Sequence, residues 1–286
     1  MKAPVSYDVR FEWGPAGAAA LAPSSSCLVV VDVLSFSTSV TVAAEAGTRV
    51  YPYAWRDESA AEFARSHQAQ LAVGRRAVSA ARPWSLSPAA LRRAPFTPRL
   101  VLPSPNGSAI CAAAAAGEGA ASVEGAAAGE GAAAGEGARE GGGGATVIAG
   151  CLRNAAAVGR FLRGSPGPVT VIAAGERWPD GSLRPALEDL LGAGAILAAL
   201  RDLGGLRAPA AIRGPGSGLF SPAAEAARAC FEATADVAAA VGGCVSGREL
   251  TESGFGDDVA VAVEVDAGRL VPFLAGGAFT AATCAP

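Results

Sequence analysis

Val29-Val30-Val31-Asp32-Val33-Leu34-Ser35-Phe36-Ser37-Thr38-Ser39 joins an apolar, β-branched run to an aspartate and then to a cluster of hydroxyls. The run reads as a buried strand. Asp32 stands where the run gives out, and a helix is expected to open at about Val40. In an α/β sheet, ligands bind beyond the carboxyl ends of the strands. The hydroxyls and unpaired N–H groups of the next helix N-terminus favour an anion at the same spot. A carboxylate repels such an anion, and a divalent metal held between the two is the usual remedy. The stretch points to a metal-dependent phosphate-ester site with Asp32 in it.

Outward from this stretch, strands and helices alternate, which predicts an α/β fold with a mainly parallel mixed sheet. Strands are expected over Val5–Trp13, Arg49–Tyr53, Leu71–Gly74, Leu100–Leu102, Thr146–Ala149 and Val169–Ala173, with a final one at Leu270–Leu274. Helices are expected over Glu58–His67, after Pro88, after Ser108, and over Ala155–Arg163, Ala186–Leu203 and 222–241. Alternation of Val259, Val261, Val263 and Val265 reads as one more strand. Residues 117–144 repeat Gly-Glu-Gly-Ala-Ala-Ala with no apolar face, so they read as a linker between a first α/β half, 1–116, and a second, 145–286. A strand, a polar loop and a helix recur at 29–46, 100–116 and 146–163. Three such units can aim their helix N-termini at one anion.

Composition narrows the function. With 23 Lys+Arg against 26 Asp+Glu in 286 residues, the net charge of −3 argues against a nucleic-acid or membrane-surface binder. No apolar stretch approaches the roughly 18 residues of a membrane span. Met1-Lys2-Ala3-Pro4 lacks a signal-peptide core, and the six scattered cysteines suggest neither disulfides nor zinc, so a reduced, cytoplasmic setting is expected. The single histidine, His67, reads as a surface residue and makes a histidine-dependent triad hard to build.

Each candidate site residue has a plain alternative. Asp32 is a metal ligand or catalytic group, or else a helix cap. It lacks the second aspartate two residues on that a haloacid-dehalogenase phosphatase needs, because that position is Leu34. Asn106-Gly107-Ser108 is a phosphate cradle or a capped turn. Arg153 suits a substrate carboxylate or sulfonate, and Asn154 a phosphate contact or a cap. Glu188 and Asp189 are site carboxylates or favour the dipole of their own helix. Asp258, at the end of Gly254-Phe255-Gly256-Asp257-Asp258, is a metal ligand or a solvated loop acid. Cys151 lacks a nearby histidine to activate it.

Taken in order, these pieces resemble the 2-phosphosulfolactate phosphatase family. The matching segments are Val31-Asp32-Val33-Leu34 with Ser37-Thr38-Ser39, Asn106-Gly107-Ser108, and Gly150-Cys151-Leu152-Arg153-Asn154-Ala155. Ala174-Gly175 with Leu187-Glu188-Asp189 and Gly192 to Ile196 follows, then Gly247 to Leu250 with Asp257-Asp258 and Val271-Pro272. The resemblance implies two similar three-layer α/β/α halves with the site between them, a helical Asp258 segment, and Mg²⁺-dependent hydrolysis of 2-phospho-3-sulfolactate on the way to coenzyme M. In one place the chain departs from the family, which commonly has Arg-Ala-Thr-Thr after Asp-Val-Leu where this chain has Ser35-Phe36-Ser37-Thr38. An arginine there would suit an anionic substrate.

The expected protein is a cytoplasmic Mg²⁺-dependent phosphatase acting on a small anionic phosphomonoester, without nucleic-acid or membrane partners and compatible with a homo-oligomer. Asp32 and Glu188 are its expected catalytic residues. Asp32, Asp189 and Asp258 are its metal ligands. Ser35, Ser37, Thr38, Asn106, Gly107, Ser108, Arg153, Asn154 and Glu176 are its substrate contacts. A non-catalytic binder of a small phosphorylated metabolite, or an enzyme acting on another phosphoester, would use the same scaffold.

Overall fold

A computed structural model describes residues 7–54, 57–116, 144–206 and 219–283. Nearly all of the expected linker, and residues 207–218, lie outside the described residues. The strands are β1 (Val9–Trp13), β2 (Cys27–Val31), β3 (Arg49–Tyr53), β4 (Gln70–Leu71), β5 (Arg99–Pro103), β6 (Thr146–Gly150) and β7 (Val169–Ala173). They continue with β8 (Glu176–Arg177), β9 (Leu183–Arg184), β10 (Leu270–Ala275) and β11 (Ala278–Thr283). The helices are α1 (Gly14–Leu21), α2 (Phe36–Glu45), α3 (Glu58–Ser66), α4 (Pro88–Arg93), α5 (Gly107–Ala116) and α6 (Ala155–Leu162). After them come α7 (Leu187–Asp202), α8 (Pro222–Ala233), α9 (Val237–Gly243), α10 (Val245–Glu252) and α11 (Gly256–Ala262).

Nine strands form one sheet in the order β1-β7-β2-β6-β10-β11-β3-β5-β4. Two parallel sets, β1-β7-β2-β6 and β3-β5-β4, are joined by the antiparallel hairpin β10–β11. Strands from before and after the expected linker interleave, since β2 lies between β6 and β7. Strand β2 is buried throughout, as a run without polar alternation requires. Its Val29 and Val31 pack with residues of α6 and α7 on one face, and Leu28 and Val30 pack with α1, α2 and α5 on the other. Helix α7 lies close on β2 because Gly192 faces it. A Cβ there would come within 2.7 Å of Val33 and 2.9 Å of Val31.

The valine alternation after Asp258 is not a strand. Residues Gly256–Ala262 are helix α11, with Asp257 and Asp258 in the first turn, where acidic residues favour the dipole. Val259 and Ala262 enter one core, while Val261 enters the other, so the helix bridges two packed layers. The expected 222–241 helix breaks at Asp236, whose side chain caps α9 by accepting from Ala239 N. Helix α2 opens at Phe36, four residues before the expected start. The elements not anticipated are α1, β8, β9, α10 and β11. Helix α1 begins at Gly14-Pro15, with proline in its first turn. Strand β11 follows a turn at Gly276-Gly277, both at positive φ, the dipeptide that closes a tight hairpin.

Candidate active site

Asp32 follows β2 and is buried. Its Oδ1 accepts from Phe36 N at 3.0 Å and its Oδ2 from Gly107 N at 3.0 Å. One carboxylate therefore meets the N-termini of α2 and α5, where unpaired N–H groups and the dipole favour negative charge. Gly107 has to be glycine for this approach, since a Cβ there would lie 2.2 Å from the Phe36 ring.

Asp189, in the first turn of α7, makes a matching pair of contacts. Its Oδ1 accepts from Val33 N at 2.7 Å and its Oδ2 from Gly175 N at 2.8 Å. The loops after β2, β5 and β7 are thus tied together by Asp32 and Asp189. Beside Asp189, Glu188 is buried, and the Cys244 thiol donates to its Oε2 at 3.1 Å. Glu176, on β8, accepts from Asn106 Nδ2 at 2.9 Å.

Burial and neighbouring negative charge raise the pKa of Asp32, Glu176 and Asp189. Burial first, then Glu188, pushes Asp32 up to about 6 against its two backbone hydrogen bonds and Arg75. Glu176 is pushed up to about 7, by burial and then by Asp32, with the Asn106 hydrogen bond opposing. Burial, followed by the charges of Asp32 and Glu188, also holds Asp189 well above the usual carboxylate range.

Arg75 supplies positive charge that the sequence did not single out. Its Nε donates to Asp258 Oδ2 at 2.8 Å and its Nη2 to Ser35 Oγ at 2.6 Å. It comes from the Pro- and Arg-rich segment that read as loop, and nothing in its neighbourhood along the chain marks it out.

Several expected site residues have other tasks. Asp258 is saturated by Arg75, by the Ser87 hydroxyl and by Ala89 N, so it fixes Arg75 and does not join the carboxylate group. The Ser37 hydroxyl donates to Val30 O and accepts from Asp32 N, and the Thr38 hydroxyl donates to Val33 O. Both are turned inward to hold the loop after β2. The Ser108 hydroxyl reaches Leu102 O at 3.4 Å. Asn154 closes its own turn, accepting from Cys151 N and donating to Ala149 O and Leu270 O. The Arg153 guanidinium binds Glu45 and Glu264. Glu45 ends α2, roughly 12 Å along the helix from Ser37 at 1.5 Å per residue. The third helix start brought to Asp32 is therefore that of α7, and the Arg153 side chain of the expected third unit faces the other end of α2.

Residues 131–277 match the family model of 2-phosphosulpholactate phosphatase. The chain belongs to this family. Members are phosphoric monoester hydrolases, and this chain is an enzyme of that class. No curated protein matches the chain. The family match covers Glu176, Glu188, Asp189 and Asp258, and the fold attaches Asp32, Arg75 and Asn106 to them from upstream.

Among the described residues, no three His, Cys, Asp or Glu side chains are drawn together tightly enough to hold a metal. The chemistry of the donors nonetheless suits a hard cation. Asp32, Glu188 and Asp189 offer buried carboxylate oxygens, and the raised pKa values of Asp32 and Asp189 record an excess of buried negative charge that a divalent ion would offset. None of the helices among the described residues is long and apolar enough to cross a membrane.

Proposed function

We propose that this enzyme hydrolyses a small acidic phosphomonoester, 2-phosphosulfolactate or a related 2-phospho acid, with Mg²⁺ as cofactor. The observation that carries the proposal is the meeting of Asp32, Glu188 and Asp189 with the N-termini of α2, α5 and α7. One or two of Asp32, Glu188 and Asp189, together with the phosphoryl oxygens of the substrate, would hold the ion, since no three such side chains among the described residues stand close enough to hold it alone. When bound it would neutralise the phosphoryl oxygens and make the phosphorus more open to attack.

The chain's own groups do the rest. The helix N-termini favour the phosphoryl charge. Glu188 has one hydrogen bond among the described residues, from Cys244, so its other oxygen is free to take a proton from the attacking water. In a covalent route, an Asp32 oxygen would displace the ester alcohol from phosphorus, the alcohol would leave with a proton, and water would then release the phosphate from Asp32. With a pKa pushed up to about 7, Glu176 both donates and accepts near neutrality, and together with Asn106 it would contact the ester. The expected alternative of a binder without catalysis is an outcome of the same test.

That test is phosphate release from a panel of phosphomonoesters, including 2-phosphosulfolactate and 2-phospholactate, with Mg²⁺ and with EDTA. Metal-dependent release from the 2-phospho acids is expected. Saturable binding without release from any ester would make the protein a binding module.

A further inference from the structure

We propose that Arg75 is the residue that selects acidic substrates, its guanidinium holding the substrate's second acid group at the mouth of the site. This deepens the hydrolase reading and rests on it for where the phosphoryl group sits.

The geometry of the guanidinium carries the argument. Two of its nitrogens are fixed by protein, Nε on Asp258 and Nη2 on Ser35. Nη1 has no hydrogen-bond partner among the described residues. The Phe255 ring lies 5.8 Å from Cζ and limits how the plane can turn. A guanidinium anchored on two sides and open on the third has lost its rotational freedom before a ligand arrives, so ordering it on binding costs little.

Its depth fixes what it would touch. Asp32, Glu188 and Asp189 are 5%, 2% and 4% exposed, while the Arg75 side chain is 18% exposed. A phosphoryl group seated among the carboxylates leaves the rest of a small substrate pointing outward, past Ser35 and Arg75. Arg75 is close enough to lower the Asp32 pKa against the upward push of burial. Carboxylate and sulfonate oxygens match the guanidinium fork, whereas a neutral hydroxymethyl group in the same place gains nothing from its charge. Ser35 thus serves as a support for an arginine delivered from another loop.

The test compares a 2-phospho acid with the matched phosphate ester that lacks the second acid group. Both are assayed with wild-type enzyme, with Arg75→Lys, and with the double variant Arg75→Met/Asp258→Asn, which leaves no buried carboxylate unpaired. The wild-type preference for the acid ester in kcat/KM should fall about tenfold to a hundredfold in the double variant, mainly through KM. Arg75→Lys should restore part of it. An unchanged preference, an equal loss on both esters, or no wild-type preference would overturn the assignment. If the wild-type protein hydrolyses neither ester, the hydrolase reading fails by itself. The ratio of the two Kd values, measured by calorimetry on the same proteins, then decides the role of Arg75 by the same criteria.

Discussion

Helix α2 has buried charge at both of its ends, and the two ends are balanced differently. At the C-terminal end, Arg153 is bonded to Glu45 and Glu264, and Arg92 also reaches Glu264. Two guanidinium groups thus answer two carboxylates. At the N-terminal end, Asp32, Glu176, Glu188 and Asp189 lie together near Arg75, whose own charge is matched by Asp258. Buried ion pairs that balance are ordinary structural elements, and breaking one is costly. A surplus of buried carboxylates lowers stability, and such surpluses concentrate where chemistry or a cation uses them. The contrast sets a charge-balanced cluster against the proposed site, which carries the surplus, at the two ends of one helix.

The largest effect that could break this separation is on turnover. Asp32→Asn should lower kcat/KM on the order of a thousandfold, the scale of losing a group aimed at the developing charge. Phosphate-release kinetics on the preferred ester read it, and full turnover in this variant would remove Asp32 from the site. Arg153→Ala should do the reverse. It strips Glu45 and Glu264 of a shared partner and should cost about 2 kcal/mol of stability, less than a fully buried pair because both glutamates are partly exposed. Urea unfolding measures that cost, and kcat should not follow it. A turnover loss in Arg153→Ala comparable to that of Asp32→Asn would mean the two ends of α2 act as one site.

The smallest effect is on pH-dependent stability. Asp32 is pushed up from 3.8 to about 6 and Glu176 from 4.5 to about 7. The folded protein therefore holds these protons more tightly than the unfolded chain. Their contribution to stability is fully present below the unfolded carboxylate range and is lost as pH rises through about 6 to 7. Mg²⁺ should offset that loss, raising Tm by a few degrees (~3 °C) at pH 8 and by less at pH 5. Thermal unfolding with Mg²⁺ and with EDTA at the two pH values checks it. Equal shifts at both would place the cation elsewhere.

Much of this arrangement was legible in the sequence where the signal is local. The run ending at Asp32, the turn at Asn106-Gly107 and the acids opening α7 each announce a strand end or a helix start. What a side chain does after that is not local. Ser37 and Thr38 are hydroxyls at a helix start, but only packing turns them toward Val30 O and Val33 O. Arg75 is one of several arginines in its segment, and its partner Asp258 lies 183 residues away. For α11 the evenly spaced valines alone suggested a strand, while the family resemblance implied the helix that is found; a two-residue period over so short a stretch also fits a helix wedged between two cores.

The hairpin β10–β11 has a consequence for the order in which the sheet can be completed. It follows every other strand of the sheet in the sequence, yet it fills the middle of the sheet between β6 and β3. During synthesis, the strands on either side are already out of the ribosome while their inner backbone groups still lack a mate. For that interval the nascent chain carries two open edges facing each other across a gap, each able to pair with the wrong neighbour. The loops that carry Asp32 and Asn106 are made well before the hairpin that binds the two parallel sets together.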